Sequence, residues 1–332
     1  MTNSILFKMA AKTDQGKIRK NNEDNFLVNQ DLADNDWFCP QDPDQHKTLS
    51  EAGCLLAVAD GMGGMNAGEE ASKIAIETVK EMFAGDKLPK DASSIEKYLK
   101  SVIAEADRRI KEKANEEKCF EYMGTTLVLS WIKGNKAHIV WCGDSRAYSF
   151  RLANGLRQLS KDHSHVQELV DAGAISQDDV FDHPLNNIVT QSLGDPDKPA
   201  KADYLEYTLH DNETLLLCSD GLNGELRDHE IEKIFFDNCD TLISCSEMLI
   251  NEALNAGGRD NITIALCQIT VGLPDLDNNE TSVESKKVES SVRQTIKEDT
   301  KKMELWKTIL FLLVTLVGIV VSVGTFLYLL KK

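Results

Sequence analysis

Two short apolar runs joined through Gly134-Asn135 constrain the fold of this chain more than any other feature. The runs "TTLVLSWI" and "KAHIVWCGD" have the length of strands, and a Gly-Asn pair between such runs predicts a β-hairpin. Three further runs of strand length, "CLLAVAD", "ETLLLCSD" and "NITIALCQI", lie elsewhere in the chain. Hairpin-linked strands indicate antiparallel sheets, unlike the strict βαβα alternation of a parallel doubly wound fold.

Two segments have the spacing of amphipathic helices. The segment "SSIEKYLKSVIAEADRRIKEKA" opens with the capping-box pattern Ser93-x-x-Glu96. Its apolar residues recur on one face at helical spacing: Ile95, Tyr98, Leu99, Val102, Ile103, Ala106 and Ile110. Residues 69–83 form a second predicted helix. Antiparallel sheets covered by helices place the folded part in the α+β class.

Residues 308–330, "TILFLLVTLVGIVVSVGTFLYLL", form an apolar run without a charged residue. At about 1.5 Å of rise per residue, a helix of this length crosses the hydrocarbon core of a bilayer, whereas buried core helices are usually shorter and amphipathic. The sequence therefore predicts a transmembrane anchor helix over residues 305–332. Residues 273–304 are polar and of mixed charge, which predicts a flexible linker. Residues 1–272 are the predicted folded domain.

Basic residues are more numerous before the apolar run than after it. Only Lys331 and Lys332 follow it, whereas the segment before it contains Lys286, Lys287, Arg293, Lys297, Lys301, Lys302 and Lys307. The N-terminal residues contain no apolar core of signal-peptide length. By the positive-inside rule, we expect a single-pass protein of the cytoplasmic membrane with its folded domain facing the cytoplasm.

The net charge is −17, from 54 acidic and 37 basic residues. Nucleic acid is disfavoured as a partner, because binding to a phosphate backbone requires a basic surface.

Acidic residues stand at the ends of several predicted strands. Those at strand ends are Asp60, Asp144, Asp220 and Asp260, and two more, Glu23 and Asp24, lie near the N-terminus. An isolated ionised carboxylate that leaves water costs several kcal/mol unless it is paired or bound to a metal ion. We therefore expect a cation among these acids.

The kind of ligand indicates the kind of metal. His and Cys do not recur with these acids, and oxygen ligands favour Mg²⁺ or Mn²⁺ over zinc. The cluster is larger than one Mg²⁺ usually takes, which predicts two ions about 3.5–4 Å apart that activate a bridging water for in-line displacement at phosphorus. Asp60 would bridge the two ions, and Gly61 would let its backbone carbonyl ligate as well. Taken alone, "DGMGG" is more typical of a tight turn before a helix.

Seven short motifs occur along the chain in this order: "GKIRKNNED", "VADGMGG", "GTTLV", "GDSRAY", "DHSHVQELVDAGAI", "SDGL" and "GGRDNIT". Together they resemble the metal-dependent Ser/Thr protein phosphatases of type 2C, the PPM family, in its bacterial style. The resemblance runs from Ala11 to Ile269. It implies a four-layer α-β-β-α sandwich, in which two antiparallel sheets pack face to face with helices outside.

The resemblance also implies metal-binding roles for the strand-end acids. Asp60 and Gly61 would bind both ions. Further acids would complete the two sites, one with Asp220 and Asp260 and the other with either Glu23 or Asp24. Family members differ in which acid of that last pair binds directly and which acts through water.

Two further assignments follow from the resemblance. Arg19 corresponds to the family's phosphate clamp, since a guanidinium fork matches phosphoryl oxygens; without the flanking motif it would read as a surface arginine. Asp144 corresponds to the acid that holds a third, weaker ion together with Asp220 in bacterial members. A structural role for Asp144, capping the turn to Ser145, is the alternative.

Two positions depart from the family pattern. Eukaryotic members usually carry His where this chain has Met62, and methionine cannot protonate a leaving alkoxide. Gln191 replaces an arginine that is frequent in bacterial members. It lies in residues 177–203, which correspond to the family's flap beside the active site.

Thr126 and His163 are expected to be structural. Asn261 is expected to orient its neighbours, with a turn-forming role as the alternative.

Two functions from different classes are compatible with these residues. The first is hydrolysis of phosphoserine and phosphothreonine on proteins by direct attack of the activated water, without a phosphoenzyme. The second is a catalytically silent scaffold of the same fold that binds phosphoproteins or a kinase. Because every predicted metal-binding acid is present, the enzyme is favoured. The anchor makes a membrane Ser/Thr kinase an attractive partner.

Overall fold

Thirteen strands form two antiparallel sheets and a small ribbon in the part of the chain that the structure describes. This computed structural model describes residues 5–33, 37, 45–63, 67–85, 88–116, 122–238 and 241–271. In chain order the strands are β1 (Ile5–Asp14), β2 (Asn25–Asn29), β3 (Lys47–Thr48), β4 (Cys54–Ala59), β5 (Gly61–Met62), β6 (Gly124–Thr125), β7 (Leu127–Lys133), β8 (Lys136–Cys142), β9 (Arg146–Arg151), β10 (Gly155–Gln158), β11 (Asp203–Thr208), β12 (Glu213–Cys218) and β13 (Ile262–Val271).

The strand order confirms the prediction of antiparallel sheets. One sheet has the order β10-β9-β12-β13-β1-β3 and the other the order β11-β8-β7-β4-β2, while β5 pairs with β6. All of these pairings are antiparallel. β7 and β8 pair up to Lys133 opposite Lys136, which leaves Gly134-Asn135 as the predicted two-residue hairpin turn.

The helices lie at α1 (Ala67–Phe83), α2 (Ala92–Glu116), α3 (His165–Asp171), α4 (Asp220–Asn223), α5 (Asp228–Asn238) and α6 (Leu242–Ala256). Both predicted helices are present, but α1 begins two residues earlier than expected. The prediction of a capping box at Ser93 is wrong. Because α2 begins at Ala92, Ser93 lies inside the helix, and Oδ1 of Asp91 accepts the backbone N–H of Ser94 at 3.0 Å instead.

Alternating side chains of the central strands build three apolar clusters and therefore four layers. In β4, Cys54, Leu56 and Val58 join the cluster between the two sheets, whereas Leu55 and Ala57 join the cluster with α1 and α2. The other sheet behaves in the same way. Its β12 residues Leu215 and Leu217 face the sheet interface, and Leu216 and Cys218 pack with α5 and α6. This arrangement explains why these strands are apolar on both faces.

The chain divides into two compact units, Met1–Pro274 and Asp275–Lys332. The second unit lies outside the described residues, and so do the predicted linker, residues 273–304, and the predicted anchor, residues 305–332. Within the residues that the structure does describe, no helix has the length and apolar character needed to cross a membrane.

Candidate functional site

The acids singled out in the sequence lie at one end of the two sheets. β4 ends at the residue before Asp60, and its antiparallel neighbour β2 begins directly after Asp24. β12 ends two residues before Asp220, and its antiparallel neighbour β13 begins two residues after Asp260. The end of one antiparallel strand lies beside the start of the next. The topology therefore brings these carboxylates together at one end of the two sheets.

The strand ends surround a pocket of about 220 Å³, which we call the acidic pocket. Seven of the eight predicted site residues line it, and only Asp24 does not. The complete lining is Arg19, Glu23, Asp60, Gly61, Met62, Gly63, Thr126, Asp144, Asn187, Val189, Asp220 and Asp260.

Glu23 and Asp24, which sequence reasoning could not separate, occupy different positions. Glu23 lines the pocket. Asp24 is buried behind it, and its Oδ2 accepts a hydrogen bond from Ser219 Oγ at 2.7 Å. Glu23 is therefore the member of the pair that faces the pocket, and Asp24 is placed to act from behind.

Burial and mutual repulsion favour the protonated forms of these carboxyl groups. Burial, and after it the charges of Asp24 and Asp220, raises the pKa of Asp60 well above its ordinary value. Burial raises the pKa of Asp24 to about 7, although the hydrogen bond from Ser219 opposes the shift. Burial, followed by the charge of Asp260, raises the pKa of Asp220 to about 6. The cluster thus lacks positive charge, which a bound cation would supply.

Arg19 is the one cationic side chain among the residues that line the acidic pocket. Its Nη2 donates to Oδ2 of Asp260 at 2.5 Å, and about half of the side chain remains exposed. A guanidinium presents further donors beside the one used here, so Arg19 can bind an oxyanion at the pocket while it contacts Asp260.

The donor set fits a hard divalent cation. The pocket is lined by carboxylate and backbone oxygens without His or Cys, which favours Mg²⁺ or Mn²⁺. Oδ1 of Asp24 and Oδ1 of Asp220 are buried without a hydrogen-bond partner among the described residues. In that same part of the chain, no group of three or more His, Cys, Asp or Glu side chains could hold an ion. Water would complete the coordination shell of each ion, as is usual for Mg²⁺.

Gly61 and Gly221 are required because backbones approach each other closely at the site. A Cβ on Gly61 would lie 2.2 Å from the carbonyl oxygen of Gly68 in α1. A Cβ on Gly221 would lie 1.9 Å from the carbonyl oxygen of Asn261. The glycine after each acid therefore lets a helix start pack against a neighbouring segment, a reason that the sequence alone did not reveal.

Asn261 and Thr126 hold the loops that carry the acids. Asn261 Nδ2 donates to the carbonyl oxygens of Gln15 and Asn21 at 2.8 and 2.9 Å, and its Oδ1 accepts the backbone N–H of Glu23. These bonds confirm the orienting role of Asn261. Thr126 Oγ1 accepts the backbone N–H of Asp60 at 3.1 Å, which confirms a structural role.

His163 also supports the site from behind. Its Nδ1 accepts the backbone N–H of Gly143, the residue before Asp144, at 3.2 Å, and its ring stacks on Trp141. These contacts with the loop that carries Asp144 agree with the structural role predicted for His163.

The predicted flap, residues 177–203, does contribute to the pocket. Asn187 and Val189 line it, and they are residues that sequence reasoning did not single out. Met62 lines the pocket as well and brings no proton donor there. Gln191 does not line it, and its Oε1 is buried without a hydrogen-bond partner among the described residues.

Comparison with known proteins places this site in a family. Residues 35–256 match the family model described as Protein phosphatase 2C. The serine/threonine phosphatase stp of Listeria monocytogenes is 35% identical over 257 residues, which cover 77% of this chain and 94% of that protein. Protein phosphatase PhpP of Streptococcus pneumoniae is 32% identical over 254 residues, covering 76% of this chain and 94% of that protein.

Solved structures agree with the assignment. A serine/threonine phosphatase of S. agalactiae has a TM-score of 0.68 and 29% identity, covering 80% of this chain and 99% of that chain. The catalytic domain of phosphatase PstP in complex with two manganese ions has a TM-score of 0.63 and 28% identity, covering 80% of this chain and 99% of that chain. The chain therefore belongs to the protein phosphatase 2C family and is a protein-serine/threonine phosphatase, a phosphoric monoester hydrolase.

Proposed function

We propose that the acidic pocket is a two-metal centre at which phosphoserine and phosphothreonine side chains of proteins are hydrolysed. The observation that carries the proposal is the gathering of five carboxylates around one arginine in a pocket of about 220 Å³. Burial and neighbouring charge raise the pKa values of Asp60, Asp144 and Asp220, so these groups favour a bound cation.

The resemblance to the family implies the roles of the acids, and their positions around the acidic pocket support these roles. The residues that would hold the ions come from the strand ends: Asp60 and Gly61 for both ions, Asp220 and Asp260 for one, and Glu23 for the other. Asp24 would act from behind the pocket, through water or hydrogen bonds. Asp144 with Asp220 would hold a third ion. When bound, Mg²⁺ or Mn²⁺ supplies Lewis acidity and lowers the pKa of a water between two ions.

Arg19 would bind the phosphoryl group of the substrate. It lines the acidic pocket beside Asp260, and its exposed fraction leaves part of the guanidinium fork accessible from solution. Two parallel N–H donors match two phosphoryl oxygens, which a lysine would contact only as a point charge. Arg19 would thus orient the phosphorus atom over the carboxylate cluster.

Metal removal tests this function. With a phosphothreonine peptide, the chain ending at residue 272 is expected to release phosphate with Mn²⁺ or Mg²⁺. Release should fall at least about a hundredfold with a chelator, because the Lewis acid and the activated water are both lost. Phosphate release is measured colorimetrically, and re-addition of the ion should restore it. A folded preparation that binds Mn²⁺ by calorimetry yet releases no phosphate would favour a silent scaffold.

We further propose that the phosphatase works at the cytoplasmic face of a membrane. The supporting observations are the apolar run over residues 308–330, the basic residues before it and the polar composition of residues 273–304. Tethering raises the effective concentration of the enzyme near membrane-bound phosphoproteins, among which a membrane Ser/Thr kinase would be a natural substrate.

Truncation tests the membrane proposal. The full chain is expected in the membrane fraction, and a chain that ends at residue 304 in the soluble fraction, since the apolar run supplies the affinity for the bilayer. Immunoblots of the two fractions measure this. Both chains should hydrolyse a phosphothreonine peptide equally in solution, which is the control. Equal dephosphorylation of membrane Ser/Thr kinases in cells by both chains would contradict a role for the anchor.

A further inference from the structure

The apolar face of α2 carries one buried acid, Asp107, which is only 6% exposed. The other buried residues of α2 are Ile95, Leu99, Val102, Ile103, Ala106 and Ile110. A buried carboxylate costs folding free energy unless its oxygens accept hydrogen bonds, and an aliphatic side chain would extend the apolar face without that cost. The packing of α2 therefore does not require the acid, and its hydrogen-bond partners indicate what it does.

The hydrogen bonds of Asp107 reach the last part of the flap. Oδ1 accepts the backbone N–H of Gly194 at 2.8 Å, and Oδ2 accepts the backbone N–H of Ala200 at 3.2 Å. Oδ2 also accepts a hydrogen bond from Lys111 Nζ, one turn further along α2, at 2.8 Å. The same Nζ donates to the carbonyl oxygen of Lys198 at 2.8 Å. These four hydrogen bonds, which we call the flap clamp, fix three points of the flap against α2.

One further side chain connects the flap clamp to the wall of the acidic pocket. Lys198 Nζ donates to the carbonyl oxygen of Thr190 at 2.6 Å, and the backbone N–H of Thr190 donates to the carbonyl oxygen of His163 at 2.8 Å. Thr190 directly follows Val189, which lines the acidic pocket. The wall that the flap supplies to the pocket is therefore tied through Lys198 to α2.

Asp60, the acid that the proposed function gives to both ions, is held by contacts outside the flap clamp. Its backbone N–H donates to Thr126 Oγ1 at 3.1 Å. The flap also keeps an attachment of its own, because Leu193 and Thr125 exchange two backbone hydrogen bonds at 2.9 and 3.1 Å. Loss of the flap clamp should therefore loosen the flap without detaching it, and should leave the metal-binding acids in place.

We propose that Asp107 is a positioning residue, which holds the flap wall of the acidic pocket in the place where a phosphorylated polypeptide binds. This inference rests on the proposed function and adds a residue that supports substrate binding from outside the pocket. Asp107 does not line the acidic pocket and acts through the backbone of the flap. Without the flap clamp, Asn187 and Val189 leave their places at the pocket for part of the time. The apparent affinity for substrate then falls with the fraction of molecules whose flap is in place.

Steady-state kinetics of the full-length protein with Mn²⁺ test this role. Asp107→Asn keeps the size of the side chain, but whichever way the amide turns, its NH2 group faces a donor, either Gly194 N–H or Ala200 N–H. The KM for a phosphothreonine peptide is expected to rise about tenfold, the scale of one lost hydrogen bond to a charged group, with kcat unchanged. For p-nitrophenyl phosphate, which has no polypeptide chain, KM should rise less. A lower kcat for both substrates at unchanged KM would contradict the positioning role.

Lys198→Met is the second variant, because Lys198 is exposed and its replacement does not disturb the core. It removes the hydrogen bond to Thr190 and leaves Asp107 in place, so the KM for the peptide should rise about threefold. Lys201→Met is the matched control. Lys201 is exposed too, and its side chain makes no hydrogen bond or ion pair within the described ranges. The control should keep the KM of the wild type.

Hydrogen–deuterium exchange shows whether the flap alone is released. In Asp107→Asn, the amides of residues 190–200 should exchange faster, while those of β4 and β12 keep the rates of the wild type. If these strands also exchange faster, the variant is generally destabilised and Lys198→Met decides, where an unchanged KM would overturn the role. An active wild type whose two variants both keep its KM would overturn the positioning role alone. A wild type that turns over neither substrate would overturn the proposed function.

Discussion

Replacement of Asp60 by asparagine is expected to lower phosphate release from phosphothreonine peptides by about a thousandfold. Asp60 directly follows β4, and its backbone N–H donates to Thr126 Oγ1 at 3.1 Å. Asparagine preserves the shape of the side chain and these backbone contacts, so the change removes one negative charge and little else. Because the proposed function gives Asp60 to both ions, the substitution weakens both sites at once.

The same variant is expected to be at least as stable as the wild type when no metal is bound. Burial and the surrounding carboxylates raise the pKa of Asp60, so the ionised group at neutral pH costs folding free energy. Removing that charge should raise the free energy of unfolding by about 1–3 kcal/mol when a chelator is present. Mn²⁺ at a hundred times its Kd should stabilise the wild type by about 2.7 kcal/mol and the variant by much less. Thermal melting in both buffers measures the two effects.

The Glu77→Gln variant serves as the control for loss of one acidic charge, because Glu77 is exposed on α1 and does not line the acidic pocket. Its phosphate release and its Mn²⁺-dependent rise in melting temperature should match those of the wild type. An Asp60→Asn variant that keeps its activity would contradict the two-metal centre. A variant that loses activity and also melts at a lower temperature in chelator would show a folding defect, and the loss could not then be assigned to metal binding.

Much of the fold could be predicted because the central strands are buried on both faces. Such strands read as continuous apolar runs, and the Gly134-Asn135 turn fixes the pairing of β7 with β8. The start of α2 could not be placed in this way. Asp91 and Ser93 are both good N-cap residues. The choice between them depends on where the preceding segment enters α2.

The metal-binding acids could be predicted because carboxylates at strand ends are conspicuous in sequence. The different positions of Glu23 and Asp24 could not, since they depend on which side chain the paired strands turn toward Ser219. The packing of the flap could not be predicted either. Phe181 and Arg227 are far apart in the chain, and only the packed structure brings the ring beneath the guanidinium.

Removal of the Arg146 side chain is expected to have the largest effect on stability. Arg146 and Asp162 are both more than nine-tenths buried, and the pair is joined by three hydrogen bonds. Arg146 Nη1 also donates to the hydroxyl of Tyr148 at 2.7 Å. The variant Arg146→Met leaves the carboxylate of Asp162 buried without its cation, which should cost about 3–5 kcal/mol of unfolding free energy.

A double variant separates the lost ion pair from lost packing. Arg146→Met combined with Asp162→Asn removes both charges and keeps an acceptor for the Gln158 side chain, which donates to Oδ1 of Asp162 at 2.9 Å. Since no uncompensated charge then remains, most of the stability should return. Urea unfolding of the chain ending at residue 274 measures all three proteins. If the double variant were as unstable as Arg146→Met, the arginine would stabilise the fold through its packing, and the buried charge of Asp162 would not be the cause.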